Sequence, residues 1–329
     1  MNIKTTSIFL IVFCATACSK EKSFTPQVNG QRDIAAATNT DTIPINDLGK
    51  GTFNGYSGGL YPGGSNNPTG RYSLDLLTRC KNIAPIDTFG NPSTNGKVLF
   101  VSIGFSTGSQ NMLTLQKKTI GNPLTNPKLS LLSFSLGSGM AMLNNVMNPN
   151  DPYWNFVATR INETKTSFRQ VQIIYLETED STKITSFPGR PLQVKNELES
   201  CLRVFKQKFP NVKLVYLLAR TTTFGNWNIV NREPCPYYLG WACKWAIEDQ
   251  IKGVPGTEYK GTKAVAPMVT WGFYQWAQAA PRKTDGFKWT ADLMKDGLHA
   301  NETGKDTLAT RFQNFLLTDK YAKNWYAKH

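Results

Sequence analysis

The chain has almost no histidine. Of its 329 residues only His299 and His329 are of this type, and His329 is the last residue, where chains fray. Any histidine-dependent chemistry therefore falls on His299. The same scarcity excludes a histidine-rich metal centre, and the spacings of the six cysteines do not suit zinc. The chemistry considered below needs neither metal nor organic cofactor. Beyond residue 17 no apolar run is long enough to span a bilayer. Internal repeats are absent, and so is any composition break that would mark a second folded domain.

The first residues supply an address. Lys4 is a short positive region, and Ser7 to Ala17 is an apolar stretch of secretory length, too short for a membrane span. It ends in Ala15-Thr16-Ala17-Cys18, which resembles a bacterial lipobox. Residues 1–18 are then a lipoprotein signal peptide with Cys18 as the lipidated residue; an ordinary signal peptide cleaved nearby is the alternative. Residues 19–50 are polar and poor in large apolar groups, which predicts a flexible tether. The expected location is the bacterial cell envelope, on the periplasmic face or the cell surface, held by lipid alone.

Residues 51–329 are enough for one large globular domain. Acidic residues are outnumbered 23 to 37, for a net charge of +14. Basic charge favours polyanions, but an exported protein meets little nucleic acid. Acidic polysaccharide or an anionic envelope surface suits better, and plain solubility accounts for scattered charge equally well. Four cysteines remain after Cys18: Cys80, Cys201, Cys235 and Cys243. Cys235 and Cys243 lie close together in what reads as a Pro/Tyr/Gly-rich loop and are the expected disulfide. Cys80 and Cys201 fall on apolar helical faces and can equally be buried free thiols.

Short apolar runs at 97–103, 128–135, 170–176 and 213–218, with a weaker one at 264–270 around Pro267, read as buried parallel strands. Between them, 192–209 and 303–317 place apolar residues on single helical faces. This alternation predicts a three-layer α/β fold around a parallel sheet of about five strands. Residues 221–262 have few strand signals and read as an elaborated loop cap.

In such sheets active groups gather at the carboxyl ends of strands. The first strand runs into Gly104-Phe105-Ser106. Glycine permits a sharp exit, and a serine at a helix start can offer Oγ to a base and its N–H to an oxyanion. A turn that merely caps a helix is the alternative. Near the other end stands Asp296-Gly297-Leu298-His299. A carboxylate three residues before a histidine can fold back and accept from Nδ1–H, leaving Nε2 as a base; the alternative is a histidine in a solvated loop.

Together these blocks resemble the SGNH (GDSL-like) hydrolase superfamily, and more narrowly a little-characterised secreted bacterial branch of it. The resemblance spans roughly residues 97–317. It implies a flavodoxin-like fold and a serine esterase, with Ser106 as nucleophile, His299 as base and Asp296 as its orienter. Asn301-x-x-Gly304 and a helix follow, as in that family. Leu136-Gly137-Ser138-Gly139 resembles the block whose glycine N–H helps form the oxyanion hole, with Gly139 the nearer match and Gly137 the second. One block departs. Where the family has Gly-x-Asn-Asp, this chain has Glu177-Thr178-Glu179-Asp180. Asp180, or else Glu179, takes the place of the asparagine donor, and an ionised carboxylate cannot donate. The carboxyl is then protonated by burial, or turned away, or the enzyme is degenerate.

Substrate contacts are expected from Arg220, after the fourth strand, and from one or two rings of the late aromatic cluster Trp227, Trp241, Trp245, Trp271, Tyr274, Trp276 and Trp289, since flat rings suit sugar faces; core or cap packing is the alternative for most of them. Arg220 has an alternative as the ion-pair partner of Glu177 or Asp180. The resemblance implies removal of acyl groups such as acetyl from carbohydrate. The rival is a degenerate surface lipoprotein that binds glycans. Whether Ser106 Oγ and His299 Nε2 reach hydrogen-bond distance in an open cleft discriminates between them.

Overall fold

The structure, a computed structural model, describes residues 42–137, 139–181 and 184–329. Cys18, the lipobox and most of the expected tether lie outside the described residues. In chain order the elements are α1 (Ile45–Leu48), β1 (Thr52–Phe53), β2 (Tyr56–Ser57), α2 (Gly70–Lys81), β3 (Val98–Gly104), α3 (Ser106–Thr119), β4 (Leu129–Ser133), α4 (Leu143–Val146) and α5 (Tyr153–Glu163). There follow β5 (Val171–Glu177), α6 (Gly189–Lys208), β6 (Leu214–Leu217), α7 (Cys235–Lys252), β7 (Met268–Trp271), α8 (Glu302–Thr318) and α9 (Lys323–Tyr326).

Five strands form one parallel sheet in the order β4-β3-β5-β6-β7. Counted within the sheet alone this is 2-1-3-4-5, the flavodoxin-like order, whose switch point falls between its first and third strands. The strands are continuously apolar because both faces are covered. Along β3, Leu99, Val101 and Ile103 enter the core shared with α5, α6 and α7, while Val98 and Phe100 enter the core shared with α2, α3 and α8. The predicted three layers are therefore present.

Three expectations need correction. The tether does not reach residue 50: Ile45 is fully buried, Gln278 Nε2 donates to Thr42 O at 2.9 Å, and Asp47 accepts from Lys283 N at 2.7 Å. Segment 42–50 is thus part of the domain. The expected cap is largely core. Residues 235–252 form α7, whose side chains are buried nearly all round; without a polar face there is no amphipathic stripe to read. Finally, Cys235 and Cys243 stand on that one helix, eight positions apart and so separated by about 12 Å at 1.5 Å per residue, well beyond disulfide reach. Both are buried free thiols, as are Cys80 and Cys201.

Candidate active site

The site begins at Gly104. Its φ is +145°, and a Cβ there would lie 1.8 Å from Glu177 O, so only glycine lets β3 turn out this close to β5. Phe105 N then donates to Glu177 O at 3.1 Å, and Ser106 opens α3. As the first helical residue, Ser106 has a main-chain N–H without an intrahelical acceptor.

The Asp296–His299 turn is fixed independently. Gly297 has φ +86° and accepts Phe224 N at 2.7 Å through its carbonyl. Lys295 N donates to His299 O at 2.7 Å, closing the turn. Asn301 caps α8, its side chain accepting Gly304 N at 2.9 Å. The Asn-x-x-Gly block thus has a mechanical role as a helix cap. A Cβ on Gly304 would meet Leu293 O at 2.3 Å.

These two constructions meet. Ser106 Oγ lies 2.9 Å from His299 Nε2, and His299 Nδ1 lies 2.8 Å from Asp296 Oδ2. Asp296 Oδ1 also accepts His299 N at 2.7 Å and Leu298 N at 2.9 Å. Partial burial pushes the Asp296 carboxyl up, but the hydrogen bonds from His299 and Leu298 outweigh it and hold it below the ordinary carboxylate range. An ionised Asp296 accepts only, so it selects the Nδ1–H tautomer and leaves Nε2 to accept from the serine hydroxyl.

The pair opens on a cleft of about 340 Å³. Gly137 and Gly139 line it together with Phe105 and Met142. Gly137 is against the serine, since a Cβ there would lie 3.7 Å from Ser106 Cβ; Gly139 has φ +75°. Across from them stand Arg220, Asn228, Val230 and Asn231. A larger hollow of about 480 Å³ lies at the amino end of β4, by Thr119, Leu129 and Lys328, and contains no acid or histidine.

Other expected site residues are elsewhere. Asp180 does not line the cleft. It is 1% exposed, and the Arg190 guanidinium draws the whole block towards α6. Arg190 Nη2 donates to Glu179 Oε1 at 2.7 Å and to Asp180 O at 2.9 Å, and Arg190 Nη1 is 3.7 Å from Asp180 Oδ2. Of the three accounts of the missing donor, the turned-away loop is the one observed. Trp271 and Tyr274 are also absent from the cleft wall. Trp271 is in β7, three strands from β3 and so about 14 Å away at sheet spacing. Its Nε1 donates to Leu60 O at 2.7 Å, and Tyr274 packs edge-on against it. Phe105 is the aromatic in the cleft wall; Trp227, half-buried, stands beside the histidine, with its ring 6.4 Å from that of His299 at 89°.

Arg220 does line the cleft, but its partners are neither Glu177 nor Asp180. It is 2% exposed, lies over the Phe105 ring at 5.4 Å, and donates through Nη1 to Asn231 Oδ1 at 2.6 Å. Burial lowers its pKa, countered by the Glu179, Glu177 and Glu233 carboxyls around it. Asn231 was not anticipated from the sequence; no motif marks it.

No protein-family model matches the chain, and no curated protein matches it in sequence. Among solved structures it is similar to a carbohydrate esterase of family 3 from Talaromyces cellulolyticus, at 16% identity over 65% of this chain and 93% of that one, TM-score 0.34. It is similar also to the periplasmic domain of a lipopolysaccharide acetyltransferase from Salmonella ser. Paratyphi A, at 13% over 75% and 95%, TM-score 0.39. A salicylyl-acyltransferase from a tetracycline biosynthetic pathway is similar at 13% identity and TM-score 0.38; 69% of this chain matches, and it spans 56% of that protein's length. At such values the likenesses carry no chemistry. The sheet order is flavodoxin-like, and the serine at the end of its first strand and the Asp–His pair before the last long helix form a Ser–His–Asp arrangement.

Proposed function

We propose that the protein is a serine esterase that removes acyl groups, such as acetyl, from carbohydrate. The observation that carries this reading is the unbroken relay from Ser106 Oγ to His299 Nε2 to Asp296 at 2.9 and 2.8 Å, beside an open cleft. Ser106 Oγ attacks the ester carbonyl while His299 takes its proton, and Asp296 stabilises the imidazolium. His299 then returns the proton to the leaving alkoxide. Water repeats the sequence on the acyl-serine. The N–H groups of Ser106 and of Gly139 face the developing oxyanion. The half-exposed Trp227 ring beside His299 supports a sugar substrate, because an aromatic face stacks on the apolar face of a pyranose. Lipid anchoring at Cys18 in the cell envelope belongs to the same proposal and rests on the Ala15-Thr16-Ala17-Cys18 motif.

The test is hydrolysis of aryl acetates and acetylated glycans by the purified protein. Trp227→Ala should raise KM for an acetylated glycan about 2- to 10-fold, corresponding to the roughly 0.5–1.5 kcal/mol of a ring contact, and leave an aryl acetate unaffected. Equal effects on both substrates would argue against the sugar assignment. Asp180→Asn should leave kcat within about twofold, because the carboxyl is off the cleft. A gain of about tenfold or more, towards the roughly 10²- to 10³-fold of one oxyanion donor, would put Asp180 back in the hole.

A further inference from the structure

The block that should supply a side-chain donor to the oxyanion is tied to Arg190 and does not line the cleft. The neighbouring strand end fills the gap. Arg220 follows β6, lies over the Phe105 ring next to Ser106, and holds Asn231, which lines the cleft. A guanidinium has only donors. The atom of Asn231 facing Arg220 at 2.6 Å must therefore be the amide oxygen, which fixes the orientation of the amide. The rest of Asn231 is also held: its N–H donates to Asn228 O at 2.9 Å and its carbonyl accepts Thr223 Oγ1 at 2.6 Å. Among the described residues, Nδ2 is the polar atom of Asn231 with no partner.

We propose that Asn231 Nδ2–H is the side-chain donor to the oxyanion, replacing the asparagine missing from 177–180, and that Arg220 is the residue that positions it. This rests on the serine-esterase reading. As the Ser106 Oγ–carbon bond forms, the carbonyl π pair moves onto oxygen, and Nδ2–H joins the main-chain donors in binding the resulting anion. When the tetrahedral carbon collapses, the pair returns, the alkoxide leaves with the proton held by His299, and Nδ2 is free again. Preorganisation separates Asn231 from Asn228, which also lines the cleft but is exposed and has no side-chain partner among the described residues. A donor held by a buried cation needs no reorganisation as charge develops.

Asn231→Asp keeps an acceptor for Arg220 and removes the donor. Two rates are measured on wild type, Asn231→Asp and Asn231→Ala: kcat on an aryl acetate, and phosphonylation of Ser106 by a fluorophosphonate, whose P=O oxygen occupies the same position. Both Asn231 variants should fall about 10²- to 10³-fold in each rate, with KM within about threefold; Asn231→Asp should keep its unfolding temperature, while Asn231→Ala, which takes an acceptor from the buried Arg220 guanidinium, should melt lower. Wild-type rates in folded Asn231→Asp would overturn this inference and leave the esterase reading standing. A wild-type protein that neither hydrolyses esters nor labels at Ser106 would overturn both.

Discussion

Ser106→Ala is expected to lower ester hydrolysis by about 10⁴-fold or more, and His299→Ala by a similar factor. The double variant should be little worse than either single one, because nucleophile and base act as a unit. The expectation follows from the geometry: Ser106 Oγ is 2.9 Å from His299 Nε2, and among the described residues no other nucleophile–histidine pair lines the cleft. Both side chains are only partly buried at the cleft mouth, so their removal should leave thermal unfolding almost unchanged. Burst kinetics with an activated ester would separate the steps, the acyl-enzyme burst disappearing in Ser106→Ala. Substantial turnover by a folded Ser106→Ala protein would rule out serine catalysis.

Gly104→Ala carries the largest expected effect on stability. Two penalties coincide there: a φ of +145° that alanine rarely adopts, and a Cβ placed 1.8 Å from the Glu177 carbonyl oxygen. Neither β3 nor β5 can retreat, since both are central strands. A loss of about 3–5 kcal/mol is expected, a large part of a typical folding free energy and roughly 6–20 °C in unfolding temperature. Gly225→Ala is the control: its φ of +84° is similarly positive, but nothing lies within 4 Å of the added carbon, so only backbone strain should register. If Gly104→Ala melted with the control, the close apposition of β3 and β5 at the nucleophile would be wrong.

The parts that were legible in the sequence are those whose physics is local. Buried parallel strands announce themselves as apolar runs because no face is left for polar residues; the five runs fall within a few residues of β3 to β7. Asp296 and His299 are three residues apart, so one turn decides their contact. What was not legible depends on partners far along the chain. The helix α7 reads as a loop because Pro236 and Gly240 interrupt it in sequence; yet Gly240 is where a Cβ would meet Ile45 Cδ1 at 2.9 Å, a contact nearly two hundred residues away. The Asp180 block shows a changed residue type but not its direction, which Arg190 sets. Trp271 and Tyr274 are aromatic for the core they fill, not for a ligand. Asn231 acquires meaning only through Arg220, itself placed by β6.

Residues 225–230 begin and end at fixed posts. On one side Phe224 N is tied to Gly297 O at 2.7 Å; on the other Thr223 Oγ1 holds Asn231 O at 2.6 Å. Between the posts lie Trp227, beside the His299 ring, and Asn228, in the cleft wall, both outside the sheet. The segment is therefore an exchangeable wall. With the Asn228 carbonyl kept in place to accept Asn231 N at 2.9 Å, its side chains can be redrawn without moving the nucleophile or the histidine turn, and for anyone wishing to retune which substrate enters, these are the positions to vary.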